Sequence, residues 1–427
     1  MKTDSRKDDL AEIRLGEDAV ARRPRATGMP AAGALGGVLE DALSDHSAAT
    51  LGGSYLTAEI SAGALRHNFK LIRDNISPGT SVCTVVKGNG YGHGLATTLG
   101  LLEELTDCFG VATPEEAIVL RQLGCLRPIL MFLPACGWAS GQELRQALDR
   151  LIVENVILTI VDTDEVRAVA EAARRVGCQA EAHVMVDTGM GRGGVPLPEA
   201  AELIRMVRSE GFIRMTGAYT HFAVADEGDL DFTRQQLRLL LDVVEQSGGR
   251  KGLTLHAANS AGLIQLPETH LDMVRPGIAV YGYQPADTLR TVWPLKPILR
   301  LTGQLMHIMT VKAGSRCGYG LSYRFERDTP VGLVPVGYAD GYMRRLSDRT
   351  TMRIRGRNVR TRGRVSMDQV VVDLSEVPDA RVGDEVEIIS ADPTSPHSVE
   401  NLARLAETVP YEITCRLGRR VRRMLVD

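Results

Sequence analysis

The sequence predicts an α/β protein, a (β/α)8 barrel followed by a mostly β C-terminal domain. Three observations lead there. Short apolar runs alternate with amphipathic stretches through the middle of the chain. Near residue 295 the alternation gives way to strand-like runs separated by turns, and chemically useful polar residues recur just after the apolar runs. Parallel strands buried on both faces, by helices outside and the barrel core inside, read as continuous apolar runs, which is the pattern seen.

Taken in order, residues 1–53 mix charge with an Ala/Gly-rich run and show no sustained period, so an N-terminal extension, mobile by composition, is expected there. Arg22 to Arg25 followed by Met29–Leu39 has the outline of an export signal. Pro30 and the glycines break its apolar run, and it lies well inside the chain. Residues 54–297 carry eight candidate strands: Val82–Val86, Cys108–Ala112, Pro128–Phe132, Asn155–Val161, Ala182–Val186, Arg214–Tyr219, Leu253–His256 and Asp272–Val274. Helix-like stretches lie between them, among them Pro114–Leu123, Thr163–Val176, Pro198–Ser209 and Leu230–Gln246. That length fits one barrel of about 250 residues. A doubly wound open sheet has the same local pattern and stays open at this point. Residues 298–427 read as the β domain, with strands Val331–Val336, Thr351–Ile354, Val359–Val365, Val370–Leu374 and Glu385–Ile389 and one helix, Val399–Glu407, capped by Ser398.

Composition narrows the function. With 50 Lys plus Arg against 53 Asp plus Glu and a net charge of −3, the chain lacks the basic excess of a nucleic-acid binder. Seven scattered cysteines do not form a disulfide framework, and no paired Cys or His spacing suggests a metal. No run approaches the 18 or so apolar residues of a membrane span. A cytoplasmic location is expected.

In a (β/α)8 barrel the active site forms at the C-terminal ends of the strands. There the first strand runs into Lys87, the fifth reaches Arg192, the sixth His221, the seventh Asn259 and Ser260, and the eighth Arg275 and Gly277. Each alone has an ordinary structural explanation. Their recurrence at the same end of different strands is what points to a site. A lysine able to lose water can bond a carbonyl cofactor, and glycines let backbone N–H groups approach a phosphate. Those are the needs of pyridoxal 5'-phosphate, an electron sink for carbanions.

The motifs that carry these residues also resemble a known family. Val-Val-Lys-Gly-Asn-Gly-Tyr-Gly-His-Gly at 85–94 is similar to the cofactor-lysine signature of the alanine racemases, fold-type III pyridoxal phosphate enzymes. The similarity recurs in order in Asp-Thr-Gly-Met-Gly-Arg at 187–192, His-Phe at 221–222, Asn-Ser at 259–260, Arg-Pro-Gly at 275–277, Cys-Gly-Tyr-Gly at 317–320, Gly-Tyr-Ala-Asp-Gly at 337–341, Ser-Met-Asp-Gln at 366–369 and Tyr-Glu at 411–412. The family has a barrel followed by a β domain.

The resemblance implies that Lys87 carries the cofactor and that Tyr91, Ser260, Gly277, Ile278 and Tyr411 hold its phosphate. It implies that His221 lies beside the ring, that Arg275 meets the pyridine nitrogen, and that Arg192 and the backbone at Met367 receive the substrate carboxylate. Tyr319 would be the second acid/base, brought by the partner of a head-to-tail homodimer, with Tyr338, Met367 and Asp368 shaping the entrance. The implied reaction interconverts L- and D-alanine to supply D-alanine for peptidoglycan, with Lys87 and Tyr319 on opposite faces of the substrate. Serine or a broader set of amino acids remains open, since one methylene or hydroxyl is worth only about 1–3 kcal/mol in an apolar pocket. A related decarboxylase would want an acid opposite the ring nitrogen, where Arg275 stands. A non-catalytic cofactor-carrying barrel would need neither Tyr319 nor the β domain.

Two departures from the family pattern stand out. Met185 occupies the position of a lysine that is often carbamylated and braces the substrate-binding arginine, so Arg192 needs another support. Gly88 and Gly90 replace alanines beside Lys87, which predicts a looser backbone there.

Overall fold

The computed structural model describes residues 55–427. The expected N-terminal extension, residues 1–53, lies outside the described residues.

Eight parallel strands follow one another around the barrel: Ser81–Val85, Cys108–Val111, Ile129–Pro134, Val156–Ile160, Ala180–Asp187, Ile213–Tyr219, Thr254–His256 and Met273–Val274. The eighth pairs with the first through Met273 and Ser81. Asp272 N–H donates to Leu255 O at 3.1 Å and Arg275 N–H to Ala258 O at 2.9 Å, which joins the eighth strand to the seventh. A doubly wound sheet reverses its strand order at a switch point and keeps two edges, so this cyclic order removes that alternative. Val156–Ile160 and Cys108–Val111 are buried at every residue, as strands covered on both faces must be.

The helices begin and end where local chemistry allows. Thr163–Val176 starts at Asp162, whose side chain accepts from Glu165 N–H, carries Asp164 and Glu165 in its first turn, and has Arg174 and Arg175 in its last. These charges complement the helix dipole at both ends. Gly177, at φ 71°, closes the helix. Pro114–Gln122 opens with a capping box between Thr113 and Glu116.

The second domain is a nine-stranded sheet containing all five expected strands, with small boundary shifts, and flanked at its end by Val399–Ala406 on the expected Ser398 cap. One of its strands comes from before the barrel. Leu56–Ser61 pairs antiparallel with Leu299–Gln304 and parallel with Arg422–Val426. Its alternating burial, with Leu56, Ala58 and Ile60 inside, is that of a sheet with one covered face. Within the expected barrel segment 54–297, the barrel's own layer therefore starts at the helix Ala62–Asp74, and both ends of the described chain lie in one sheet.

A short helix, Pro410–Cys415, escaped sequence reading because six residues cannot display a helical period. It seats the C-terminal segment against the loop after the first barrel strand. A Cβ on Gly92 would stand 1.9 Å from Thr414 O, and Arg423 Nε–H donates to Gly92 O at 3.2 Å. Among the described residues, no helix is long and apolar enough to cross a membrane.

Candidate active site

Lys87 leaves the end of the first strand into an unusual turn. Gly88, Asn89, Gly90 and Tyr91 have φ of 64°, 55°, 63° and 52°, a short left-handed stretch. L-residues pay for that conformation and glycine does not, so Gly88 and Gly90 relieve strain rather than merely loosen the backbone. An added Cβ would find ordinary contacts at both positions, 3.8 Å from Cys415 Sγ and 3.6 Å from Tyr281 Oη. The cost of alanine is therefore conformational. Gly88→Ala is expected to lower unfolding stability by about 1 kcal/mol, measurable as a shifted denaturant midpoint with unchanged slope.

The side chain of Lys87 reaches open space in the single chain, yet the protein around it strips away enough water to lower its pKa. Desolvation is the main cause and the charge of Arg192 the next, opposed by Glu116 and Cys415. A lysine so placed is more readily the free amine that attacks carbonyls and accepts protons.

Tyr91 turns inward from the same loop, packing against Tyr281 at 5.2 Å and Tyr411 at 5.9 Å between ring centroids. Burial raises the pKa of both Tyr91 and Tyr411, so each hydroxyl stays protonated and can donate. Gly277 stands where any side chain would collide with Tyr91: its Cβ would lie 2.4 Å from Tyr91 Oη. Ser260 Oγ accepts from Gly277 N–H at 3.0 Å and Ala279 N–H at 3.3 Å. Neighbouring Ile278 is fully buried. Two tyrosine hydroxyls, a serine and closely approached backbone form a cradle of donors for an anion with several oxygens.

Arg275 is 3% exposed. Its Nη2–H groups donate to Thr220 O at 2.8 Å and Ala257 O at 3.0 Å, and Nη1 donates to His256 Nδ1 at 2.7 Å. Nη2 also faces His221 Nδ1 at 3.4 Å. A guanidinium can only donate, so both histidines accept through Nδ1 and carry their proton on Nε2. His256 Nε2–H then donates to His183 Nδ1 at 2.9 Å. Tyr219 stacks on His256 at 4.7 Å, with the Arg275 guanidinium 5.2 Å from its ring centre. Burial pulls the Arg275 pKa down to about 10, which leaves it charged near neutrality. Burial and then Arg275 push His221 down to about 3, so it is a neutral donor rather than a source of charge.

Sequence reading missed His183 and His256, although His256 ends the seventh strand in the same His-Ala-Ala-Asn-Ser run that supplied Ser260. Asn259 instead caps the helix Ser260–Gln265 by accepting Gly262 N–H at 2.9 Å. Met185 is buried beside Tyr219 on the neighbouring strand, while Arg192 is exposed and its charge reaches Lys87 and His221.

Lys87, Tyr91, His221, Ser260, Arg275, Gly277, Ile278 and Tyr411 thus gather at the mouth of the barrel. Tyr319, Tyr338 and Met367 stand on the β domain, exposed by 68%, 41% and 52%. Tyr319 begins a tight turn whose Gly320, at φ 70°, lies against Arg364: a Cβ there would be 2.7 Å from Arg364 Nη1. Tyr338 N–H donates to Ser366 O at 3.1 Å and Ala339 N–H to Met367 O at 3.0 Å. Arg420 pairs with Asp340 at 3.0 Å and Asp368 at 2.8 Å, which ties these two loops together.

Comparison with known proteins agrees with this architecture. Residues 60–285 match the family model "Alanine racemase, N-terminal domain" and residues 298–425 match "Alanine racemase, C-terminal domain". The chain is 38% identical over 375 residues to the alanine racemase of Desulforamulus reducens, covering 86% of this chain and 98% of that one. It is 36% identical over 379 residues to that of Desulfovibrio desulfuricans, covering 87% and 98%. The crystal structure of alanine racemase from D-cycloserine-producing Streptomyces lavendulae superposes with a TM-score of 0.80 at 35% identity, over 88% of this chain and 98% of that one.

Proposed function

Because the chain belongs to the alanine racemase family, whose activity it shares, we propose that it interconverts L- and D-alanine with Lys87 and a tyrosine from a second copy of itself. Members of this family use pyridoxal phosphate, and the site residues fit that group. When bound, it supplies a conjugated sink for the electron pair left as the α proton departs. The observation that carries the reading is the convergence of a desolvated Lys87 with the anion cradle, in which Gly277 alone lets the Tyr91 hydroxyl close in.

The chain's own residues would then act as follows. Tyr91, Ser260, Tyr411 and the backbone at Gly277 and Ile278 hold the phosphate. Arg275 donates a hydrogen bond to the pyridine nitrogen and keeps its proton, which leaves the sink weaker than an acidic partner would make it and favours prompt return of a proton over side reactions. His221, neutral, offers Nε2–H. Arg192 and the Met367 backbone receive the substrate carboxylate. Lys87 holds or takes the α proton on one face.

Racemisation needs a second acid/base on the opposite face. Tyr319 is the candidate. Its exposure on the β domain, with Tyr338 and Met367, suits a homodimer in which this surface covers a neighbour's barrel mouth. The crowding of tyrosines there suits a short side chain. Purified protein is expected to exchange the α proton of alanine with solvent deuterium faster than that of serine or longer amino acids, read by proton NMR over a panel of L-amino acids. Cofactor uptake with no exchange for alanine would sink this reading, and faster exchange with serine would reassign the substrate.

A further inference from the structure

Glu116 is tied into the Lys87 site by contacts that the proposed chemistry does not use. It sits in the first turn of Pro114–Gln122, where Thr113 Oγ1 accepts its N–H at 3.3 Å. Its Oε2 accepts Thr113 N–H at 3.3 Å and Ala112 N–H at 2.7 Å, which is enough to cap the helix. The second oxygen is committed elsewhere. Oε1 accepts the N–H of Gly88 at 2.7 Å, in the peptide group that adjoins Lys87. One carboxylate therefore links the loops after the first and second barrel strands.

We propose that Glu116 is a positioning residue for Lys87, fixing the peptide between Lys87 and Gly88 and with it the direction in which the lysine leaves the barrel. Glycine at position 88 makes this restraint necessary, because Gly88 visits many backbone conformations at little cost. A short charge-assisted bond selects one of them. The inference rests on the reading that Lys87 carries the cofactor.

Charged or titratable groups face Lys87 from four places: Arg192 after the fifth strand, His221 at the end of the sixth, Cys415 in the C-terminal helix, and Glu116. His221 is neutral and burial keeps the Cys415 thiol protonated. Glu116 is then the anion that offsets Arg192, and losing its charge lowers the proton affinity of Lys87 further.

The test compares Glu116→Gln, Glu116→Asp and Glu115→Gln in the full chain. In cofactor-free protein, the pH dependence of Lys87 acylation by acetic anhydride, followed by peptide mass spectrometry, reads the amine's titration. Glu116→Gln is expected to move the midpoint down by about one unit. In the loaded enzyme it should cut kcat about ten- to a hundredfold, with KM within about threefold. Glu116→Asp keeps the charge but is one methylene too short to span both loops, so it should restore the midpoint and leave kcat low. Glu115→Gln, on the same turn, should match the parent in both. An unmoved midpoint in Glu116→Gln overturns the proposal. So does parental kcat in Glu116→Asp, which decides the matter even if the glutamine variant fails to fold. Failure of the parent protein to take up pyridoxal phosphate would instead defeat the cofactor reading, leaving the labelling result intact.

Discussion

Lys87→Ala is expected to abolish both the visible absorbance of bound cofactor and the exchange of alanine's α proton. Two losses combine. In the proposed reaction the lysine, at the end of the first strand, is the nucleophile that bonds the cofactor. As proposed, it would also be the acid/base on one face, and general acid–base catalysis alone contributes about 10²- to 10⁴-fold. The anion cradle should survive the change, because Tyr91, Ser260 and Gly277 are held by ring packing and by Ser260 Oγ rather than by Lys87. Cofactor should therefore still bind, weakly and without its covalent signature. Equilibrium dialysis together with a visible spectrum separates the two. Normal exchange in Lys87→Ala would remove the lysine from the mechanism.

Tyr319→Phe should show the opposite division. The contacts that shape the anion cradle run through Tyr91, Tyr281, Tyr411 and Ser260 rather than Tyr319, so cofactor uptake should be unchanged while turnover falls by about 10²- to 10⁴-fold. A stronger test uses both variants. If each site draws Lys87 from one copy and Tyr319 from the other, a mixed dimer of Lys87→Ala and Tyr319→Phe concentrates both defects in one site and leaves the other intact. After subunit exchange between equal amounts, half the dimers are mixed and about a quarter of the parental activity should return. If both residues served the same chain's site, mixing would restore nothing. Two nearly inactive proteins that become active together would be hard to explain otherwise.

Much of the site was legible in the sequence because barrel topology does the assembling. Residues that follow parallel strands share one face, so Lys87, Arg192, His221, Ser260 and Arg275 could be grouped without knowing any distance. The second ring of residues was not legible. His256 and His183 matter through a hydrogen bond between alternate barrel strands, the seventh and the fifth, 73 positions apart in sequence. Glu116 was not singled out in the sequence: one of its oxygens completes an ordinary capping box, and only the other, bonded 28 positions away, distinguishes it. Gly88 and Gly90 read as weak points until their φ values showed a turn that suits glycine.

Local patterning by itself determined the eight barrel strands, five strands of the β domain and several helices, because burial on both faces, helix caps and turn residues are written into neighbouring positions. It determined that the barrel precedes a β domain and which residue types arrive at the barrel mouth. Tertiary structure alone decided three things. It closed the sheet by pairing Met273 with Ser81, and it drew Leu56–Ser61 away from the barrel into the sheet that also holds Arg422–Val426. It also set the charge states, making His221 neutral and Lys87 a weaker base. The physical reason is common to all three. Strand partners and pKa values depend on what lies across space, and a sequence records only what lies along the chain.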